Sequence, residues 1–498
     1  MIHTGKEDGR AAQFTDLIPI FLPRAPASGR QPVQAGDIPA ISYDGLRMGG
    51  PAFFSRWCKV LMEISTPALA SIIVLVAIVL FSCFRDINVG ILGTAGGLLV
   101  GMLFSGMKIS EVYKGWPLSL FMILVGVTFM FSCAQVNGTM EKFSAVCVRL
   151  AKANVALIPI IMFLLTTFIV TIGLGNIAGT ALLAPVAMAI AGRIGLSPFC
   201  MTLLVVGAAN GAAFSPFAPT GIISNGIIAG WAPQVGIPAD QLDSLAWKVH
   251  FNSEIAQGIV NFGGFFLTGG AAWMMRARKD ASFDIDSIAP KPGAFDWKQK
   301  YTLLTMVVLV VGVIFFKLDV GMLSFIIGTT YILFNIADDG EAVKKMPWGV
   351  IVMVCGMSVL INVMDQAGGL NALVQMIAVV SNDTTVTGVV GFISGLISAY
   401  SSSSGVVMPM FLNMVPGLLE AVGTVDADHA IRLASSINIG SHLVDTSPLS
   451  TLGALCIANA AVDDKAKGIL FRNLLFWGLS MSIVGGFVCY VAFGLLGL

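Results

Sequence analysis

The residues of this chain that could do chemistry sit in four interruptions of otherwise apolar stretches, and their types suit the holding of small ions. The first interruption is residues 173–185, Gly-Leu-Gly-Asn-Ile-Ala-Gly-Thr-Ala-Leu-Leu-Ala-Pro, which stops the apolar run Ile158–Ile172 and passes into a helix-compatible stretch ending at Arg193. Thr180 within it, and the run Ser401-Ser402-Ser403-Ser404 further on, supply hydroxyls that donate to an anion or accept toward a cation. Ser215-Pro216 and Thr446-Ser447-Pro448 read as helix starts. Serine suits the N-cap, and proline at the first helical position gives up an N–H that had no partner. A helix that begins in mid-membrane carries a partial positive charge there, and two such ends seat a carboxylate or other oxyanion. Asn176, Asn210 and Asn438 offer amide oxygens that, with freed backbone carbonyls, suit Na⁺.

Ionisable groups inside the apolar stretches are few. His442 and Asp445 lie one helical turn apart before Ser447-Pro448, with no counterpart in the first half. An intramembrane carboxylate is costly and marks a functional candidate. Asp445 therefore reads as a Na⁺ ligand, a proton carrier, or the structural partner of His442. Asp365, Glu420, Asp426 and Asp428 fall near expected membrane edges and read as solvated. The bland alternative stands beside this, because Ser, Thr and Gly also recur where membrane helices pack closely. Ser224 alone reads as packing. The hairpin tips do not, since packing gives no reason to break the backbone at matching places in both halves.

These groups sit in a chain whose solvent is lipid. Of 498 residues 56% are hydrophobic and 11% charged, and the mean hydropathy is +0.86. Soluble domains average roughly 25% charged residues. The formal net charge is zero, which argues against a nucleic-acid partner. Eight scattered Cys and four His show neither CxxC nor HExxH spacing, so no metal or disulfide framework is expected. No GxxxxGK loop is present, so ATP would have to act through another subunit. No matched nucleophile and base set points to an enzyme.

A bilayer core takes about 20 helical residues. On that measure the spans fall near 66–84, 87–107, 117–136, a hairpin 155–193, a broken span 196–230, and 251–275. A polar linker, 276–300, divides the chain. Beyond it come 301–316, 318–336, 346–364, a second hairpin 384–419, a second broken span 431–460, and 467–496. The two sets match in kind. Trp116-Pro117, Gly126 and Asn137-Gly138 correspond to Met346-Pro347, Gly356 and Ala367-Gly368 at a constant offset of 230. Gly179-Thr180 with Pro185 corresponds to Ser403-Ser404 with Pro409, and Ser215-Pro216 with Gly221 to Ser447-Pro448 with Gly453.

The expected fold is thus an all-α polytopic membrane protein of two inverted repeats, five crossings each, with two re-entrant hairpins and two broken helices. Its parts are 62–275, the linker 276–300, and 301–498. Inverted repeats with discontinuous helices are the usual build of secondary transporters. Basic residues put the linker, Lys142, Arg193, Lys344 and Lys345 on the cytoplasmic side, and Lys108, Lys114, Lys248 and Lys317 outside. Residues 1–61 lack the apolar region of a signal peptide and read as a disordered or surface-lying extension, with Met62 an alternative start.

At these residues the chain resembles the malonate/dicarboxylate carrier family, within the divalent anion–sodium symporters. The likeness runs over most of 62–498 and is strongest in 87–230, at Ile87-Asn88-Val89-Gly90, Gly126-Val127-Thr128 and the first hairpin. The wider group has Ser-Asn-Thr at each hairpin tip, ten residues before a proline. Here those positions are Gly175-Asn176-Ile177 and Ala399-Tyr400-Ser401. The resemblance implies a dimer in a bacterial-type inner membrane, elevator-type alternating access and Na⁺ coupling without other cofactors. It also implies a small dianion such as malonate, succinate or malate held by Asn176, Thr180, Tyr400, Ser401, Ser402 and the two Ser-Pro breaks. Gly175 and Asn176 would then help hold Na⁺, and Tyr400 would reshape one half of the pocket. H⁺ coupling or anion exchange through His442 and Asp445 is the alternative.

Overall fold

In a computed structural model of the chain, residues 57–58, 62–85, 87–149, 155–277 and 293–498 are described, and among them every regular element is helical. They belong to one compact unit, Ile41–Leu498. Residues 1–56 and most of the linker lie outside the described residues. The first half contains α1 (Thr66–Phe84), α2 (Val89–Leu103), α3 (Leu118–Val136), α4 (Ile158–Ile169), α5 (Asn176–Arg193), α6 (Pro198–Ala212), α7 (Pro219–Trp231) and α8 (Leu242–Phe265). The second contains α9 (Trp297–Phe316), α10 (Val320–Leu333), α11 (Trp348–Gln366), α12 (Val386–Ser398), α13 (Met408–Asn413), α14 (Val415–Val422), α15 (Ala427–Leu443), α16 (Thr451–Asn459) and α17 (Asp464–Cys489). Short helices such as Ile109–Tyr113, Thr139–Arg149 and Asp339–Lys345 join them.

Six described helices are long and apolar enough to cross a membrane, or seven if the pair Ser403–Asn413 and Val415–Val422, bent by 41°, is one span. Both arms of the first hairpin are among the six. The chain is therefore an all-helical polytopic membrane protein. The expected spans agree with the helices closely, with one informative exception. The span expected at 251–275 begins nine residues earlier, at Leu242, and is kinked at Gly269. The stretch Trp247–Ser253, where Lys248, His250, Asn252 and Ser253 interrupt the apolar pattern, is helical, with His250 and Ser253 buried.

Helix starts are set by side-chain caps. Asn88 accepts from Gly90 N at 2.9 Å to open α2, and Asp319 accepts from Met322 N at 2.7 Å to open α10. The two halves then lock through glycine. A Cβ at Gly90 would lie 2.2 Å from Val352 O, and one at Gly356 would lie 2.0 Å from Gly90 O, so α2 and α11 touch backbone to backbone. Gly126 and Gly321 bring α3 and α10 together the same way, with contacts of 2.4 and 2.6 Å to a placed Cβ. Lipid gives helices no hydrophobic drive to associate, so close van der Waals packing through small residues does that work.

Gly356→Leu should lower the thermal unfolding midpoint in detergent, as a loss on the order of 1–3 kcal/mol from overpacking. Gly258→Ala, where a Cβ meets only Phe163 at 3.9 Å, should leave the midpoint unchanged. Equal behaviour of the two variants would contradict the packing account.

Candidate ion and substrate site

The first hairpin turns on two glycines. Gly173 has φ 127° and Gly175 φ 82°, a left-handed region that other residues occupy only with strain. A Cβ on Gly173 would also stand 2.3 Å from the Phe131 ring. The break is confined to residues 173–175; Asn176 is already the first residue of α5, and Pro185 lies inside that helix. In the second hairpin α12 ends at Ser398, and Ser402 caps the restart by accepting from Gly405 N at 3.1 Å. Gly405 is pressed on α11, where a Cβ would lie 2.0 Å from Met353 Sδ.

The broken helices differ from expectation in one respect. Ser215-Pro216 and Ser447-Pro448 are not helix starts; α7 begins at Pro219 and α16 at Thr451. Each serine instead closes the turn between two helix segments, accepting from the N–H two residues on, Phe217 at 3.2 Å and Leu449 at 3.2 Å. Gly221 and Gly453 then pack on the serine carbonyls, where a Cβ would lie 2.0 and 2.1 Å away. The two breaks are thus built alike.

One cavity of about 1020 Å³ collects these parts. Gly173, Gly175 and Asn176 of the first tip face Tyr400, Ser401, Ser402, Ser403 and Ser404 of the second across it. The starts of both second segments, Pro219-Thr220 and Ser450-Thr451, line it as well, and so does Asp445. Tyr400 is 54% exposed there. Beneath the lining a polar network joins the halves. Asn176 Nδ2 donates to Asn210 Oδ1 at 3.1 Å, and Asn210 Nδ2 donates to the His442 carbonyl at 3.0 Å. His442 Nε2 meets Ser404 Oγ at 2.9 Å, and Ser404 meets Thr220 at 3.5 Å.

Asp445 is the buried carboxyl group of the cavity, whose lining also includes Glu141 nearer its edge. Ser403 Oγ lies 2.6 Å from Asp445 Oδ1, Ser398 Oγ 2.6 Å from Ser403 Oγ, and Ser398 Oγ 2.7 Å from the Ser441 carbonyl. Ser403 donates to the carboxyl group, and the Ser398 hydroxyl is shared between Ser403 Oγ and the Ser441 carbonyl, so Asp445 ends a row of hydroxyls.

Several expected residues lie elsewhere. Thr180, Thr446 and Asn438 are buried and do not line the cavity; Thr180 Oγ1, Thr446 Oγ1 and Asn438 Oδ1 lack partners among the described residues. Asn438 Nδ2 donates to Ser224 Oγ at 2.9 Å, which gives Ser224 a hydrogen-bonding part beyond packing. Ser215 Oγ donates to the Thr171 carbonyl at 2.6 Å, pinning the break to the hairpin arm. Pro216 lines a second cavity, and Ser447 and Pro448 line neither. Thr220, Ser450 and Thr451 were not foreseen. The signal was available, since a restart three residues after each Ser-Pro leaves room for the turn. His442 also has a counterpart after all: at the 232-residue offset of the Ser-Pro pairs it takes the place of Asn210.

Residues 65–213 match the family model described as the N-terminus of the dicarboxylate carrier protein MatC, and this match supports a malonate/dicarboxylate carrier family for the chain. No curated protein matches the chain. Among solved structures, a Vibrio cholerae MATE transporter, VcmN in its bent form, aligns with 12% identity over 89% of this chain and 97% of its own, at a TM-score of 0.11. That likeness carries no argument.

Asn210→Ala should lower stability by about 1–3 kcal/mol by removing two buried hydrogen bonds, from Asn176 and to the His442 carbonyl, against within about 0.5 kcal/mol for the exposed Asn371→Ala. Thermal unfolding in detergent measures both. An equal, small effect would show that the Asn176–Asn210–His442 connection is not structural.

Proposed function

We propose that this chain is a secondary carrier of a small dicarboxylate, of the malonate, succinate or malate type, driven by Na⁺ and working by elevator-type alternating access. The cavity between the two hairpin tips carries this reading. Polar tips from both halves close on a space that suits an ion and a small anion, with little fixed positive charge, so helix ends and a co-bound cation would neutralise the substrate. Asn176, Tyr400, Ser401 and Ser402 would touch the dianion directly, while Ser215-Pro216 and Thr446-Ser447-Pro448 shape the helix ends that face it. Na⁺ would sit near the Gly175 carbonyl, Asn176 and Asp445, with Asn210 and Asn438 behind them.

A second cavity of about 1170 Å³ supports two inverted halves, 62–275 and 301–498. It is lined by Pro117, Ile123, Ser358, Ile361, Asn362 and Asp365. Shifted by 230, these correspond to Pro347, Met353, Thr128, Phe131, Ser132 and Gln135, all of which line the first. The cavities lie toward opposite ends of α3, one beside Lys114 and the other beside Glu141. With the basic-residue orientation, the tip cavity faces the cytoplasm and the second faces out. The hairpins are then re-entrant, five crossings remain in each half, and 276–300 is a cytoplasmic linker. A homodimer in a bacterial-type inner membrane, with 1–61 as a surface extension, completes the reading.

Proton coupling or exchange is the second reading, favoured by the buried Asp445 carboxyl group at the end of the Ser441–Ser398–Ser403 row. Uptake of labelled malonate and succinate into proteoliposomes decides between them. An inward Na⁺ gradient should drive accumulation, and Asn176→Ala should abolish it while the protein still elutes as folded. Accumulation that ignores Na⁺ but follows a pH gradient would replace Na⁺ with H⁺. Normal uptake by Asn176→Ala would sink the site.

A further inference from the structure

Away from the tip cavity, α8 buries a row of polar side chains along one face. His250, Ser253, Glu254, Gln257 and Asn261 recur at helical spacing. All but Glu254 are at most 3% exposed. Each has an atom without a hydrogen-bond partner among the described residues: His250 Nδ1, Ser253 Oγ, Glu254 Oε2, Gln257 Nε2 and Asn261 Oδ1. Five orphaned polar atoms on one buried helix face are costly unless water or a proton satisfies them.

The neighbouring helix is cut to admit this row. On α6, a Cβ at Gly207 would lie 2.5 Å from the Asn261 amide, and one at Gly211 would lie 2.5 Å from Glu254 Oε2. His250 also bonds the Gly211 backbone. Thr167 Oγ1 donates to Glu254 Oε1 at 2.9 Å. No described cation faces Glu254. On α15, Asp428 holds Lys248 at 3.1 Å and also Arg432, His429 holds Asp426 at 2.7 Å, and His442 is bonded to Ser404. On α8 itself Asp243 holds Lys317 at 2.8 Å. Helices α4, α6 and α7 contain no Asp, Glu, Lys, Arg or His, and Cys200 of α6 turns to Thr268 at 3.6 Å.

We propose that Glu254 is a proton-binding site, reached from water along the polar face of α8. A carboxylate held in a membrane protein without a cationic partner is stable as the acid. The row is suited to proton passage because His250 and Ser253, an imidazole and a hydroxyl that can each accept and donate a proton, stand between its outer end and Glu254. Gln257 turns an unpartnered amide N–H into the row, and such a group cannot ligate a metal ion. The row also begins at water. Asp243, whose side chain is 68% exposed, lies two helical turns before His250 on the same face. A proton taken up there passes His250 and rests on Glu254 as a neutral carboxyl group, and it leaves by the same row.

Infrared difference spectroscopy of the full chain in lipid, stepped from alkaline to acidic pH, reads the protonated carboxyl C=O stretch directly. The expected result is a band in the wild type that is lost in Glu254→Gln. In Thr167→Val the band persists but moves to higher wavenumber, because the donor to that oxygen is gone. A band unchanged in Glu254→Gln overturns the proposal. So does a Glu254 band that responds to Na⁺ at fixed pH and not to pH. The spectrum needs no transported substrate, so it stands even if dicarboxylate uptake fails. Resting on the carrier reading, a second arm expects Glu254→Gln to lose the pH dependence of malonate uptake. Retained pH dependence there would overturn the site as part of the transport cycle.

Discussion

Backbone that leaves a helix inside a membrane must find polar partners within the protein, and the site of this protein follows from that constraint. The first tip can turn only because Gly173 and Gly175 adopt positive φ, and Asn176 then serves the exposed start of α5. The second tip solves the same problem with hydroxyls, Ser402 capping the restart and Ser403 reaching Asp445. Each broken helix closes its gap with a serine and a glycine packed on that serine's carbonyl. At the tips, Asn176, Ser402 and Ser403 both serve the breaks and line the cavity, while Ser215 and Ser447 close their turns away from it.

The second constraint is that the halves must hold together without a hydrophobic drive. Gly90 with Gly356, and Gly126 with Gly321, let backbones meet, and these pairs are equivalent under the repeat. The tips and broken helices belong to a different set of contacts, with α4, α5 and α8 packed on α6 and α12 packed on α15 and α17. The elevator movement proposed above would use this division, with the glycine-joined group as scaffold and the tip-bearing group as the moving part. The Asn176–Asn210–His442 connection ties the tip-bearing parts of both halves, so they would move as one.

Much of the fold was legible in the sequence. Apolar run length located the helices, and Pro, Gly and Ser at constant offsets located the equivalent breaks. Side-chain direction was not legible. Thr180, Asn438 and Thr446 carry suitable oxygens yet do not line the cavity, because helix phase at a break depends on the turn that precedes it. Ser215-Pro216 and Ser447-Pro448 resembled caps but fill the turns, which moved the helix starts to Pro219 and Thr451. Glu254 and His250 escaped notice for a different reason. They lie where apolar periodicity weakens, and a weakened pattern reads as a membrane edge when the polar face is in fact covered by a glycine-lined neighbour.

In the proposed cycle two inverted halves exchange conformations around one site. The repeat makes a distance prediction for the state not seen here. In this structure the second tip meets α11 at Gly405 and Met353; shifted by 224 and 230, the exchanged contact joins Ala181 to Ile123, which here line different cavities. Oxidant-induced cross-linking of an Ala181→Cys, Ile123→Cys double variant in proteoliposomes tests this directly. The account predicts a disulfide that forms during turnover, stops malonate uptake and is reversed by a reductant. Absence of the cross-link in a variant that still accumulates malonate would contradict it.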